Sequence, residues 1–200
     1  MNISINKAVS TGWGIVTKNL GFFVVFMLLV MVTYSVPQII QAIVEKSVPT
    51  LAFVLGFAAV FVEVLVQLNF IRVALKFLDN KKAVYKDLFN TQLFLPFFMG
   101  WLVYVIIVGA GTLLLILPGI YLAIKLQFWA YLVIDKNMNP FDALKKSWDM
   151  TRGKFWKLFG LIIVLCAINL LGVLVLLVGL FITIPLTFVA MASIYRQLSK

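Results

Sequence analysis

Residues 135–157 read DKNMNPFDALKKSWDMTRGKFWK, the most polar and most basic stretch of a chain that is otherwise nearly all apolar. Asn139 followed by Pro140 marks a helix start, because an Asn side chain can cap free N–H groups and Pro suits the first helical position. Asp142 then falls in the first turn, where a carboxylate meets the positive end of the helix dipole. Gly153 is a natural stop. On the helix so bounded, Phe141, Leu144 and Trp148 share one face, with Lys145, Asp149 and Arg152 to one side of it. An apolar stripe with a basic flank suits a helix half sunk among lipid headgroups. The alternative is an ordinary cytoplasmic loop helix. The context favours the interface, since Phe155 and Trp156 run directly into an apolar span.

That apolar span is typical of the chain. Hydrophobic residues make up 64% of the 200 and charged residues only 12%, against about 25% charged in a soluble domain. The mean hydropathy is +1.10. These values place the chain among all-α integral membrane proteins, as one domain (residues 1–200) large enough for several spans and too small to add a soluble catalytic domain. The one cysteine, Cys166, lies in an apolar run, so no disulfide forms within the chain. Histidine is absent, which removes the commonest metal ligand and the commonest general base. A net charge of +10 would suggest nucleic acid in a soluble protein, but here the positive-inside rule and anionic lipid explain it more simply.

Reading outward from the basic stretch gives six spans. Ile5, Ala8, Val9, Gly12, Trp13 and Val16 follow helical spacing ahead of the first long apolar run, the pattern of an amphipathic helix and unlike a cleavable signal. Spans are expected at about 20–43, 51–78, 93–117, 120–134, 155–177 and 180–195. Pro118-Gly119 is read as the tight turn between spans three and four. A second polar stretch, 79–91, carries Lys81, Lys82 and Lys86, with Val84, Leu88 and Tyr85 available for an apolar face. Positive charge sorts by side. Lys7, Lys18, Arg72, Lys76, the two polar stretches, Arg196 and Lys200 fall on one side, with Lys46 the one clear loop exception, whereas the links between spans three and four and between five and six carry no charge. Both termini are therefore expected in the cytoplasm.

The pattern also repeats. Ala8-x4-Trp13 matches Ala143-x4-Trp148, and Lys82-Ala83-Val84 echoes Lys7-Ala8-Val9. Each unit would be a short interfacial helix followed by a two-span hairpin, giving repeats 1–78, 79–134 and 135–200 and a pseudo-threefold bundle. The plainer alternative is that all amphipathic-helix-plus-span units look alike.

Residues 117–162 carry Pro118-Gly119-Ile120-Tyr121, Lys125, Asp135, Ala143-Leu144-x-x-Ser147-Trp148 and Gly153-x-Phe155-Trp156. This run resembles the membrane domain joined to some bacterial glycerophosphodiester phosphodiesterases, and related stand-alone bacterial membrane proteins. The likeness covers the C-terminal half well and the N-terminal half only by hydropathy. It implies a six-span bundle and no chemistry, since the catalytic domain of those enzymes has no counterpart here.

Any chemistry would come from polar groups inside the bilayer, where they are costly. These are Glu63, Gln67, Lys125, Gln127 and Asn169, with Asn69 and Arg72 nearer the end of span two. Glu63 and Lys125 are the acidic and basic groups deepest in predicted spans, so an ion pair between them is the first expectation. Zinc sites and Ser-His-Asp triads lack their residues, no phosphate loop occurs, and Gly109-x-Gly111 reads as helix packing. No metal, cofactor, nucleic acid or catalysis is expected. Two classes lead: a non-catalytic bundle that organises lipid or anchors a protein partner or second copy, and a small permease built on the set around Glu63 and Lys125. An intramembrane lipid-modifying enzyme is a distant third. In the first class Lys145, Lys146, Trp148, Arg152, Lys154, Trp156 and Trp13 would meet anionic headgroups.

Overall fold

The computed structural model describes residues 3–175 and 177–199; Lys200, counted above with the basic residues, lies outside them. The structure is 84% helix, with no strand among the described residues. The helices are α1 (Ile5–Lys18), α2 (Leu20–Glu45), α3 (Pro49–Leu78), α4 (Phe94–Leu114), α5 (Ile116–Leu126), α6 (Trp129–Lys136), α7 (Pro140–Met150), α8 (Phe155–Leu174) and α9 (Leu180–Leu198). A single 3₁₀ turn, Tyr85–Phe89, stands between α3 and α4. Six units are long and apolar enough to cross a membrane: α2, α3, α4, α5 with α6, α8 and α9. The chain is a multi-pass membrane protein.

One expected turn is displaced. Pro118-Gly119 is not the link between spans three and four. The chain reverses at Leu115, which is extended, and Pro118 sits in the first turn of α5. Pro is tolerated there because first-turn N–H groups have no partner within the helix. Gly119 instead makes the crossing: a Cβ there would lie 2.0 Å from Thr112 Oγ1 and 2.8 Å from Thr112 Cα. Gly179 stands 2.6 Å, by the same measure, from the Cα of Gly172 across the α8–α9 hairpin. Small residues let these backbones touch, the usual basis of helix association in lipid.

Three hairpins result: α2 with α3, α4 with α5–α6, and α8 with α9. In each the second span is the more buried. The segment that leads into each hairpin packs on the second span of the hairpin before it. Thus the 3₁₀ turn lies on α3, α7 on α6, and α1 closes the ring on α9. Ser4 N–H donates to Gln197 Oε1 at 2.9 Å, while Gly12 approaches Leu186 and Ala190, so α1 runs antiparallel to α9 and both described ends of the chain share one end of the bundle.

The two matched helices use the same face. Ala8, Gly12 and Val16 are buried on α1; Ala143 and Ser147 on α7, with Thr151 just after it, are buried likewise. The expected stripe on α7 is divided between core and surface. Leu144 is buried, but Phe141 is 61% exposed and Trp148 37%. The helix docks through its small residues, which allow close backbone approach, while Phe141 turns outward and the Trp148 ring packs at the rim against Tyr121 of α5.

Candidate functional site: the polar interior of the bundle

The α7 seam explains a break in the fourth span. Between α5 and α6 the helix is interrupted at Gln127 and Phe128, which frees backbone groups that lipid cannot satisfy. Ser147 Oγ accepts from Phe128 N–H at 3.1 Å and donates to Lys125 O at 3.1 Å; Thr151 Oγ1 also donates to Lys125 O at 3.0 Å. The cap predicted at Asn139 is present, its side chain accepting from Phe141 N–H at 3.0 Å. Gly153, at φ +72°, occupies the left-handed region just past α7.

Lys125 is thereby turned toward α7. Its Nζ lies 4.9 Å from the Trp148 ring centroid, 6.0 Å from that of Tyr121, and 3.4 Å from Trp148 O. A ring face and a carbonyl near the C-terminal end of α7 both favour a cation there. The expected ion pair between Lys125 and Glu63 is absent: Lys125 belongs to the α5–α7 seam, and Glu63 faces a different cavity.

That cavity, about 350 Å³, lies among α2, α3, α4 and α9, with Tyr34, Glu63, Gln67, Trp101 and Phe188 in its walls. A second cavity of about 250 Å³ shares Gln67, Trp101 and Phe188 with the first and adds Tyr104, Gln127, Trp129 and Thr187. Gln67, Gln127 and Thr187 stand at equal intervals of sixty residues, one on each inner spanning unit. Ile71, Tyr131 and Met191 follow one turn on, at the same interval, and line the same cavity. The second cavity therefore lies where the three hairpins meet.

Polar groups in and beside it are incompletely engaged, Gln127 in its wall and Asn169 behind Thr187. Asn169 Nδ2 donates to Thr187 Oγ1 at 2.9 Å and to Leu165 O at 3.0 Å. Gln127 Nε2 and Asn169 Oδ1 are buried without a hydrogen-bond partner among the described residues; of the two, Gln127 lines the cavity and has hydrogen-bonding capacity for a guest.

Toward the end of the bundle that holds the described chain ends, the axis is closed. Tyr131 stacks on Tyr195 with centroids 5.4 Å apart, and Tyr195 Oη donates to Asp135 Oδ2 at 2.7 Å. Arg196 reaches Asp135 at 2.7 Å and Asp79 at 2.8 Å, so one guanidinium joins the ends of α3, α6 and α9. Sequence reasoning missed this clamp. The sixty-residue phase could have suggested that the ends of the three inner units meet.

The expected lipid-binding residues lie apart from the Glu63 and Gln127 cavities. Lys145, Lys146, Arg152, Trp156 and Trp13 are exposed, with Trp156 in an aromatic cluster with Phe155 and Phe159. Lys154 is half-buried and donates to Met150 O at 3.4 Å.

The family model described as "Domain of unknown function (DUF7847)" matches residues 35–198, and the chain belongs to that family. No curated protein and no solved structure matches it.

Proposed function

We propose that this chain is a small, non-catalytic permease, or the membrane subunit of one, that admits a small organic cation to the cavity walled by Glu63. One observation carries the reading: Glu63, halfway along a spanning helix, lacks a basic partner among the described residues and faces a cavity with Tyr34, Gln67, Trp101 and Phe188. A carboxylate inside a span is costly and marks a functional pathway by default. A carboxylate beside ring faces suits a cation, which both attract. The adjoining cavity continues the polar lining, and the Arg196 clamp beyond it would be a gate. The resemblance of residues 117–162 to phosphodiesterase-linked membrane domains agrees with a bundle that has no chemistry of its own. We place the chain in a bacterial cytoplasmic membrane, as the resemblance of residues 117–162 implies, with both termini in the cytoplasm, supported by the sorting of basic residues.

Proteoliposomes on a solid-supported membrane test the reading. Concentration jumps of tetramethylammonium and choline should evoke currents that Glu63→Gln abolishes and Lys125→Met preserves. Wild-type protein giving no current with either ion would overturn it.

A second reading, a bundle that organises anionic lipid or anchors a partner or second copy, draws on the outward Lys145, Lys146 and Arg152 beside Trp148 and Trp156. Neutralising the three cations should weaken retention of anionic lipid, since each basic residue near such a surface contributes about 1 kcal/mol. Unchanged retention would remove that reading.

A further inference from the structure

A separate cavity, of about 600 Å³, opens at the basic end of the bundle, between the α1–α2 junction and the segment just after α3. Lys18 comes to it from the last turn of α1, and Lys81 and Lys82 from beyond α3. Ser10, Thr11 and Asn80 add polar groups, and no carboxylate lines it.

Local structure brings the three lysines together. Asn80 adopts a left-handed conformation at φ 54°, and Lys81 N–H returns to Lys76 O at 2.8 Å. This is the hydrogen bond of a helix-ending Schellman turn, which reverses the chain direction within a residue or two. It swings Lys81 and Lys82 back over the α1–α2 junction. There Asn19 breaks the helix, its Nδ2 donating to Ile15 O at 2.8 Å. The floor is aromatic: Phe22 meets Phe77 edge-on at 5.2 Å and stacks on Tyr85 at 5.0 Å.

The nearby acids are engaged elsewhere. Asp79 is held by Arg196, and Asp87 by Lys76 at 2.7 Å. Among the described residues no carboxylate pairs with Lys18, Lys81 or Lys82. Three ammonium groups around one concavity repel one another unless an anion sits between them, and hydroxyl and amide groups beside them complete the donor set for phosphate oxygens. We infer that this cavity binds a phosphate-bearing anion, either the headgroup of an anionic membrane lipid or a free phosphorylated solute. It shares no residue with the Glu63 cavity and stands independently of the permease reading.

Two measurements on the full chain separate the sources. The first is native mass spectrometry of lipid retained from vesicles of phosphatidylcholine doped with phosphatidylglycerol. The second is calorimetric titration with inorganic phosphate in pure phosphatidylcholine nanodiscs. Each is run on wild type, on the pocket variant Lys18→Gln/Lys81→Gln/Lys82→Gln, and on a variant of equal charge, Lys7→Gln/Lys86→Gln/Lys136→Gln. All six positions are exposed, so both variants should fold, and matching thermal transitions check this. A lipid site predicts phosphatidylglycerol retention lowered at least about tenfold in the pocket variant and little changed in the other. A solute site predicts phosphate binding that only the pocket variant loses, with lipid retention unaltered. If the pocket variant behaves like the equal-charge variant in both measurements, there is no such site.

Discussion

Arg196 Nη1 lies 2.7 Å from Asp135 Oδ2, tying α9 to the end of α6, which comes sixty-one residues earlier in the chain. The other terminal nitrogen of the same guanidinium reaches Asp79 at the end of α3. The contact therefore joins all three hairpins where their second spans converge. The side chains retain between 17% and 31% of their exposure, so the network falls between a surface pair and a buried one.

Arg196→Met should destabilise the bundle by about 2 kcal/mol, between the small value of an exposed pair and the 3–5 kcal/mol of breaking a buried one. Arg196→Lys should recover only part, because a single ammonium cannot reproduce a planar fork that reaches two carboxylates. Thermal unfolding in detergent reads both; a stability equal to wild type in Arg196→Met would discount the clamp.

Gly119→Ala and Gly109→Ala should part company. At Gly119 the added carbon meets Thr112, whereas at Gly109 nothing lies within 4 Å. The first should cost about 1–3 kcal/mol through overpacking. The second should be neutral or gain up to about 1 kcal/mol, the helix-propensity difference between the two residues. Equal effects would mean that the α4–α5 crossing is not this close.

Ser147→Val should cost about 1–3 kcal/mol, because it leaves the Phe128 N–H without its acceptor in a buried seam. Ser147→Thr keeps the hydroxyl and should lose less. Hydrogen exchange at the Phe128 amide is the direct readout: protection kept in Ser147→Val would show that another group satisfies it.

Glu63→Gln and Lys125→Met should combine additively, to within about 0.5 kcal/mol, as independent sites do. A double-mutant cycle on thermal stability measures this. Recovery in the double variant would restore the ion pair that the side-chain directions contradict.

Orientation is checked by labelling. In a Cys166→Ser background, a cysteine at Val48 should react with an impermeant thiol reagent added outside intact cells, and one at Asn137 should not. The reverse pattern would invert the proposed topology.

Much of the fold was legible in the residues. Without water, each spanning backbone must satisfy its own hydrogen bonds, so a long apolar run with few charges becomes a helix regardless of its neighbours. That rule yields the six spans, and Asn139-Pro140 the start of α7. Ala8 and Ala143, the alanines of the two Ala-x4-Trp matches, are both buried to 0% exposure. An amphipathic pattern shows which residues share a side without saying whether lipid or another helix covers it.

What composition and spacing determined by themselves, then, was the number of spans, the sorting of charge, and the polar residues placed inside apolar helices. Which of those residues meet was decided only by tertiary structure. Glu63 and Lys125 looked like partners because they are opposite charges within spans. Yet each side chain's direction depends on the rotation of its helix, and apolar residues on every face leave that rotation unspecified. Packing sets it: small residues at Gly12, Gly119, Ala143 and Ser147 fix how closely and at what angle backbones approach. Those contacts turn Lys125 to Trp148, leave Glu63 in a cavity, and bring Arg196 onto Asp79 and Asp135.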